Sequence, residues 1–259
     1  MLTDQSLAAT GLDGIALKPH EHDLSHAVDL DADLLNVDYE GRDMFPDPDT
    51  LRRLADGHDL RVTTPVRADG FDPLGDDSLL PLPDGERVLV AGNPTYLTDA
   101  ERDRAVAPRF GAAREQAPDA WIGTEGVERI AMATGGPQYE LLSRNTKREL
   151  RALRAAGFEA EIALYAPVAL TDDEDELLDA LGGYASRRGP VRRALPDDAA
   201  TNSAATGRAR EVLTSAIPDF ALVGTPDAIG DRVAELKQAG VDTVVGYPAR
   251  GLDPFCSDR

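Results

Sequence analysis

Apolar residues in this chain gather in eight short runs, separated by polar stretches with helical spacing. The runs are GIALKP (14–19), LLNVDY (34–39), LRVTTPV (60–66), RVLVAGN (87–93), AWIGTEG (120–126), YELLSRN (139–145), AEIALYAPVAL (160–170) and TVVGYP (243–248). Most are near-continuous rather than alternating, which predicts strands buried on both faces, as in a parallel sheet. Between them, PDTLRRLADG sets Leu51 and Leu54 on one side of a helix, and TDAERDRAVAPRFGAAREQ is polar and alanine-rich. NTKRELRALRAAG starts at Asn145 or Thr146, groups Leu150 with Leu153 and ends at Gly157. TDDEDELLDALGGYASRR takes Thr171 as its cap and buries Leu177, Leu178 and Leu181. In 220–254, Thr225 reads as an N-cap, Pro226 as the first helical residue and Asp227 as an acid at the positive end of the dipole. Ile229, Val233 and Leu236 form that helix's apolar stripe, Gly240 its left-handed cap, and the β-branched residues that follow a buried strand.

Eight strands with mostly helical connections predict a compact (β/α)8 TIM barrel occupying 1–259 as one domain. Several links are so short that their crossover helices must be one or two turns long, or missing. An open doubly wound sheet is the alternative, but no G-x-G-x-x-G follows the first strand. The Pro/Gly/Asp-rich loop 67–85 is placed to cover the barrel mouth. The segment 189–215 reads as an excursion before the last repeat.

Composition narrows the function classes. The 259 residues carry a net charge of −20, with acids spread along the whole chain. A field this negative disfavours nucleic acid and anionic membranes as partners. It suits a halophilic, salt-rich cytoplasm of the haloarchaeal type, where screening tempers self-repulsion. Cys256 is the only cysteine, so no internal disulfide or cysteine zinc site is available. No run of 18 apolar residues occurs and the first residues lack a signal pattern, so the expected location is cytoplasmic.

The stretch FALVGTPDAIGDRVAELKQAGVDTVV, with its GYPARGLDP tail, resembles the last repeat of the luciferase-like monooxygenase superfamily. Within that superfamily it is most similar to deazaflavin-dependent methylenetetrahydromethanopterin reductase. IALYAPVALTDDEDELLDAL, WIGTEGVERIAMA and LLNVDYEGRD resemble its seventh, fifth and second repeats. The resemblance implies a luciferase-like TIM barrel, usually a homodimer. It implies FMN or a deazaflavin coenzyme of the F-420 type at the strand tips, and hydride transfer or oxygen-dependent oxidation of a small substrate. The helical insertion common in the family between strands four and five is much reduced here. A barrel of the same descent that has lost its cofactor, and serves as a non-catalytic binding or structural protein, is therefore the alternative.

Candidate site residues follow from strand ends and from the resemblance. Gly123, Thr124 and Gly126 flank Glu125 in a loop whose amides could hold a phosphate; a tight βα turn is the plainer reading. Gly92, Asn93, Thr63 and Thr64 complete the cofactor shell that the resemblance implies, although Asn93 also suits a turn and the threonines suit a strand. Asp38, which matches the family's aspartate, and His20 are the candidate catalytic contacts. His20 and His22 form an H-x-H, as in metal-dependent hydrolases. The other histidines are His26 and His58, so later strands supply no further imidazole and no metal is expected. Tyr165 and Tyr247 read as inward structural tyrosines. Arg187, Arg188, Arg192 and Arg193 could meet an anionic ligand or a dimer partner, or pair with surface acids.

Overall fold

The structure, a computed structural model, describes residues 6–75 and 85–256. Among the described residues nine strands form: β1 (Gly14–Leu17), β2 (Leu34–Val37), β3 (Asp59–Pro65), β4 (Glu86–Val90), β5 (Trp121–Gly123), β6 (Gln138–Leu141), β7 (Ile162–Ala169), β8 (Leu222–Val223) and β9 (Thr243–Pro248). All eight predicted runs are strands. Every named pairing is parallel, and β6–β7, β7–β9 and β9–β1 close the sheet into an eight-stranded cylinder. This is a (β/α)8 TIM barrel. The open sheet is excluded. β8 lies outside the ring, paired with the C-terminal end of β7 through Val168 and Leu222.

The helices cover the cylinder because their apolar stripes have nowhere else to go. Pro48–Ala55 buries Leu51 and Leu54, and Pro226–Ala239 buries Ile229, Val233 and Leu236. The Thr225 hydroxyl accepts the Ala228 N–H, and Gly240 takes the left-handed cap at φ 119°. The link from β1 to β2 holds a single turn, Leu24–Ala27, as the spacing predicts. One cap differs from expectation. Asp173, not Thr171, caps the helix after β7 by accepting the Glu176 N–H at 3.0 Å, while the Thr171 hydroxyl donates to the Glu176 carboxylate. A carboxylate in the extended conformation just before the first turn displaces the hydroxyl two residues earlier. The excursion holds two helices, Gly189–Ala194 and Gly207–Phe220, with an apolar cluster of their own around Leu178, Leu213 and Ile217.

The cylinder is filled. Trp121, Tyr139, Tyr165 and Tyr247 point inward with small and β-branched neighbours. At the N-terminal end, the Arg61 guanidinium lies 3.8 Å from the Trp121 ring centre and pairs with Glu86 at 2.6 Å. The Trp121 indole N–H donates to Glu161, which also accepts from the Thr243 hydroxyl. Of the loop predicted to cover the mouth, residues 76–84 lie outside the described residues. Phe71 in its first part packs against Tyr39 and Phe45. Among the described residues, no helix is long and apolar enough to cross a membrane.

Candidate functional site

The C-terminal mouth collects side chains from β1, β2, β3, β7 and β9. Asp38 follows β2, and its carboxylate accepts from the Asn36 amide at 2.8 Å and from the Thr63 and Tyr165 hydroxyls at 3.3 Å each. Asp38 is half-buried at the mouth, with its carboxylate against these three donors. Burial pushes its pKa up to about 7; the Lys18 ammonium opposes the rise and Glu40 adds to it. Among the described residues, no cation forms an ion pair with this carboxylate.

A second cluster forms the rim beside β1. The His20 ring bridges Glu40 at Nδ1 and Glu21 at Nε2, the latter at 3.5 Å. The Glu40 side chain is only 4% exposed, and it also accepts the His20 backbone N–H at 3.1 Å. Glu21 accepts from the Tyr247 hydroxyl and pairs with Lys18 at 3.4 Å. Burial alone would raise the Glu21 pKa, but the hydroxyl and the ammonium outweigh it and the net shift is downward. The Lys18 ammonium lies 3.8 Å from the Tyr247 ring centre, so it is shared between carboxylate and ring. By spacing alone His20, Glu21 and Glu40 could hold a metal ion. Their polar atoms already contact one another, and Glu21 also pairs with Lys18.

His22 plays another part. Its Nδ1 accepts the Lys18 N–H at 3.1 Å and its Nε2 faces the Pro248 carbonyl at 3.2 Å. That pattern assigns a neutral ring with the proton on Nε2, and burial lowers its pKa accordingly. With both nitrogens occupied, His22 staples the end of β1 to β9, and the H-x-H pair offers no joint metal site.

The residues expected to hold a cofactor mostly hold backbone. Thr63 faces the mouth beside Asp38. Thr64 faces the helix layer, where its hydroxyl donates to the Val62 carbonyl and accepts from Arg87, both at 3.1 Å. Gly92, at φ 91°, packs against Leu97 and Pro65, and its carbonyl accepts from Arg67. The Asn93 side chain accepts the Thr95 N–H at 2.9 Å and caps the following turn. Gly123 backs onto β4, where a Cβ would come within 2.8 Å of Val90. Three amides of the loop after β5 are occupied: Thr124 donates to the Tyr139 carbonyl, Val127 to the Thr124 carbonyl and Gly126 to the Glu128 carboxylate. The helix behind the loop, Glu128–Thr134, is two turns long. A neighbouring groove of about 370 Å³ is lined by Thr124 together with Glu128, Glu140 and Glu149. Burial, then Glu149 and Glu128, raise the Glu140 pKa, so a phosphate there would meet carboxylates. These residues do not fit the phosphate of a flavin or deazaflavin.

Sequence reasoning passed over Glu40, Tyr139 and Tyr184. The Tyr139 and Tyr184 hydroxyls and Asn36 Oδ1 are buried without hydrogen-bond partners. Burial is the largest cause of the raised pKa of both phenols.

The chain matches the model of a family described as a family of unknown function (DUF7388), over residues 7–255. This chain belongs to that family. Among solved structures it is similar to an F420-dependent secondary alcohol dehydrogenase in complex with an F420-acetone adduct. The TM-score is 0.59 and the identity 11%, over 93% of this chain and 94% of the other. At that identity the likeness shows the fold. No curated protein is similar enough to count as a relative.

Proposed function

We propose that this family member is an enzyme that exchanges a proton with a small hydroxyl- or carbonyl-bearing substrate at the barrel mouth, with Asp38 as the acid–base group. The observation that carries this reading is the Asp38 carboxyl, held by three donors at the mouth with its pKa pushed up to about 7. A carboxyl poised near neutrality is populated in both protonation states and can give or take a proton with little driving-force penalty. Asn36, Thr63 and Tyr165 orient it. Lys18, held over Tyr247, supplies the positive charge that would favour a developing oxyanion. His20, paired with Glu40, lies at the rim where protons can reach solvent.

The fold likeness favours a redox form of the same chemistry. Interconverting an alcohol and a carbonyl needs a hydride partner at carbon and a proton partner at oxygen, and Asp38 suits the second role. A deazaflavin coenzyme or FMN supplies the hydride chemistry when bound. The glycine loop does not fit its phosphate, because its amides are occupied and carboxylates line the neighbouring groove. The reduced wall between β4 and β5 fits the other descent, a barrel without a cofactor.

Carbon-13 NMR of aspartate-labelled protein tests the central claim. Asp38, assigned by its absence in Asp38→Asn, should titrate near pH 7. A midpoint in the ordinary carboxylate range would sink the acid–base reading. Visible absorbance titrations with deazaflavin and with FMN decide the redox form: a saturable change with either supports it, and none removes it.

A further inference from the structure

The helix Gly207–Phe220 in the excursion carries two of its charges the wrong way round. Arg208 stands in its first turn, at the positive end of the helix dipole, and Asp219 in its last, at the negative end. The chain obeys the dipole elsewhere. Asp49 and Arg53 in Pro48–Ala55, Glu149 and Arg154 in Thr146–Ala155, and Asp227 and Lys237 in Pro226–Ala239 put the acid first and the base last. Among the described residues, neither the Arg208 nor the Asp219 side chain has a hydrogen bond or ion pair, whereas Arg210 between them is held by Glu174 and Asp175.

Both charges line one groove of about 290 Å³. Glu211, Val212, Ser215 and Ala216 lie between them at helical spacing, and the helix Gly189–Ala194 and Arg144 close its other sides. Two arginines and two carboxylates line it, so this face is neutral on a chain whose net charge is −20. Two copies of the protein repel each other over most of their surfaces, and this face escapes that repulsion.

The pattern is also symmetric along the helix. Arg208 and Asp219, Glu211 and Ala216, and Val212 and Ser215 lie at equal distances either side of its middle. An antiparallel copy sets each Arg208 against the other's Asp219 and brings Val212, Ser215 and Ala216 together at the centre. It resolves both dipole conflicts as well, because each Arg208 arrives at the other helix's negative end and each Asp219 at its positive end. A partner of uniform charge would answer only one end of the groove. We propose that this face is the contact between two copies of the chain, related by a two-fold axis through the middle of Gly207–Phe220. The two reciprocal Arg208–Asp219 pairs set its register, and Val212 and Ala216 supply its apolar centre. One helix pair buries less than the roughly 800 Å² per partner of a standard interface, so the dimer is weak and concentration-dependent. The contact asks nothing of Asp38, so it stands or falls apart from the acid–base reading.

Sedimentation of the full chain over a range of concentrations tests this. The salt is held at about 0.15 M, where a Debye length of about 8 Å screens long-range repulsion but not a contact pair. The parent should form a reversible dimer. Arg208→Asp and Asp219→Arg each turn two attractive pairs into repulsive ones and should weaken the dimer by about tenfold or more. The double variant, Arg208→Asp with Asp219→Arg, keeps the net charge and exchanges the partners of each pair, so it should recover the parent's dimer. Mixing the two single variants should give a heterodimer, since each then meets opposite charges on the other. That recovery also guards against a folding defect in either. The proposal is overturned if the parent stays monomeric at every concentration. It is overturned equally if either single variant dimerises like the parent, which would put the contact on another surface, or if neither the double variant nor the mixture recovers it.

Discussion

The two ends of the cylinder treat charge differently. At the N-terminal end Arg61 meets Glu86 on one side and the face of Trp121 on the other. The Trp121 N–H reaches Glu161, and Glu161 takes a second donor from Thr243. Arg61 Nε, Gln138 Oε1 and His58 Nε2 are buried there without hydrogen bonds, but the charge that Arg61 carries is matched by Glu86. At the C-terminal end Asp38 has donors but no cation in contact, and Tyr139, Tyr184 and Asn36 keep unpartnered buried atoms. One ladder of rings, from Trp121 through Tyr139 and Tyr165 to Tyr247, joins the two ends. The contrast lies in charge: at the bottom the buried cation meets a carboxylate, whereas at the top the Asp38 carboxylate meets neutral donors.

The bottom offers the harshest way to break this comparison. Trp121→Ala removes the largest fully buried side chain, the stacking surface for Arg61 and the donor to Glu161. The expected loss is about 3–5 kcal/mol, read as a shift in the urea midpoint. It should be insensitive to pH across neutrality, because the indole does not titrate. A loss below about 1 kcal/mol would mean that the bottom is no keystone, since even modest core truncations cost that much.

Asp38→Asn should do the reverse at the top. The folded-state pKa is raised to about 7, above that of the unfolded chain. The proton held by the fold therefore stabilises it at acid pH, and that contribution disappears as pH rises through 7. Above neutrality the native state carries an ionised carboxylate that it solvates poorly, at a penalty on the order of 2–4 kcal/mol. The neutral amide keeps a carbonyl for the Asn36 donor and escapes that penalty. The variant should be more stable than the parent above about pH 7, with the gap closing toward about pH 4. Urea unfolding on both sides of neutrality checks this. A variant less stable than the parent at alkaline pH would show that the carboxylate is well solvated where it is. A gain in stability with a loss of function is the trade expected of a group retained for chemistry.

How much of this was legible depended on which signal the chain carries. The eight strands were, because near-continuous apolar runs bounded by turn residues have few other uses. β8 was not: two residues carry no period. The caps at Thr225 and Gly240 were legible from local chemistry, whereas Thr171 lost to Asp173 because several capping residues compete there. Facing was the harder matter. In strands buried on both faces no polar alternation sets the phase, so Thr63 and Thr64 looked equivalent, although only Thr63 reaches Asp38. Period two nevertheless held a clue. Asn36, Asp38 and Glu40 alternate, and extending the phase from Asp38 would have carried Glu40 into the site. Tyr139 and Tyr184 gave no such sign. A tyrosine in a strand or helix is ordinary, and only the packed structure reveals that its hydroxyl is unpartnered.

The mildest test sharpens the contrast within the top itself. Glu21 and Asp38 are both carboxylates at the mouth, but Glu21 has the Tyr247 hydroxyl and the Lys18 ammonium, and its pKa moves down rather than up. A depressed folded-state pKa contributes stability that is present above the unfolded value and is lost as pH falls through the folded one. Glu21→Gln should therefore lower stability at neutral pH and have no effect in acid, the opposite sign to Asp38→Asn. The side chain is 37% exposed, so solvent screens most of the attraction and the loss should be about 0.5 kcal/mol. Thermal unfolding at low salt resolves a shift of that size, and added salt should shrink it. If Glu21→Gln instead stabilises the protein at neutral pH, the acidic rim is frustrated as a whole, and Asp38 is not singled out by its surroundings.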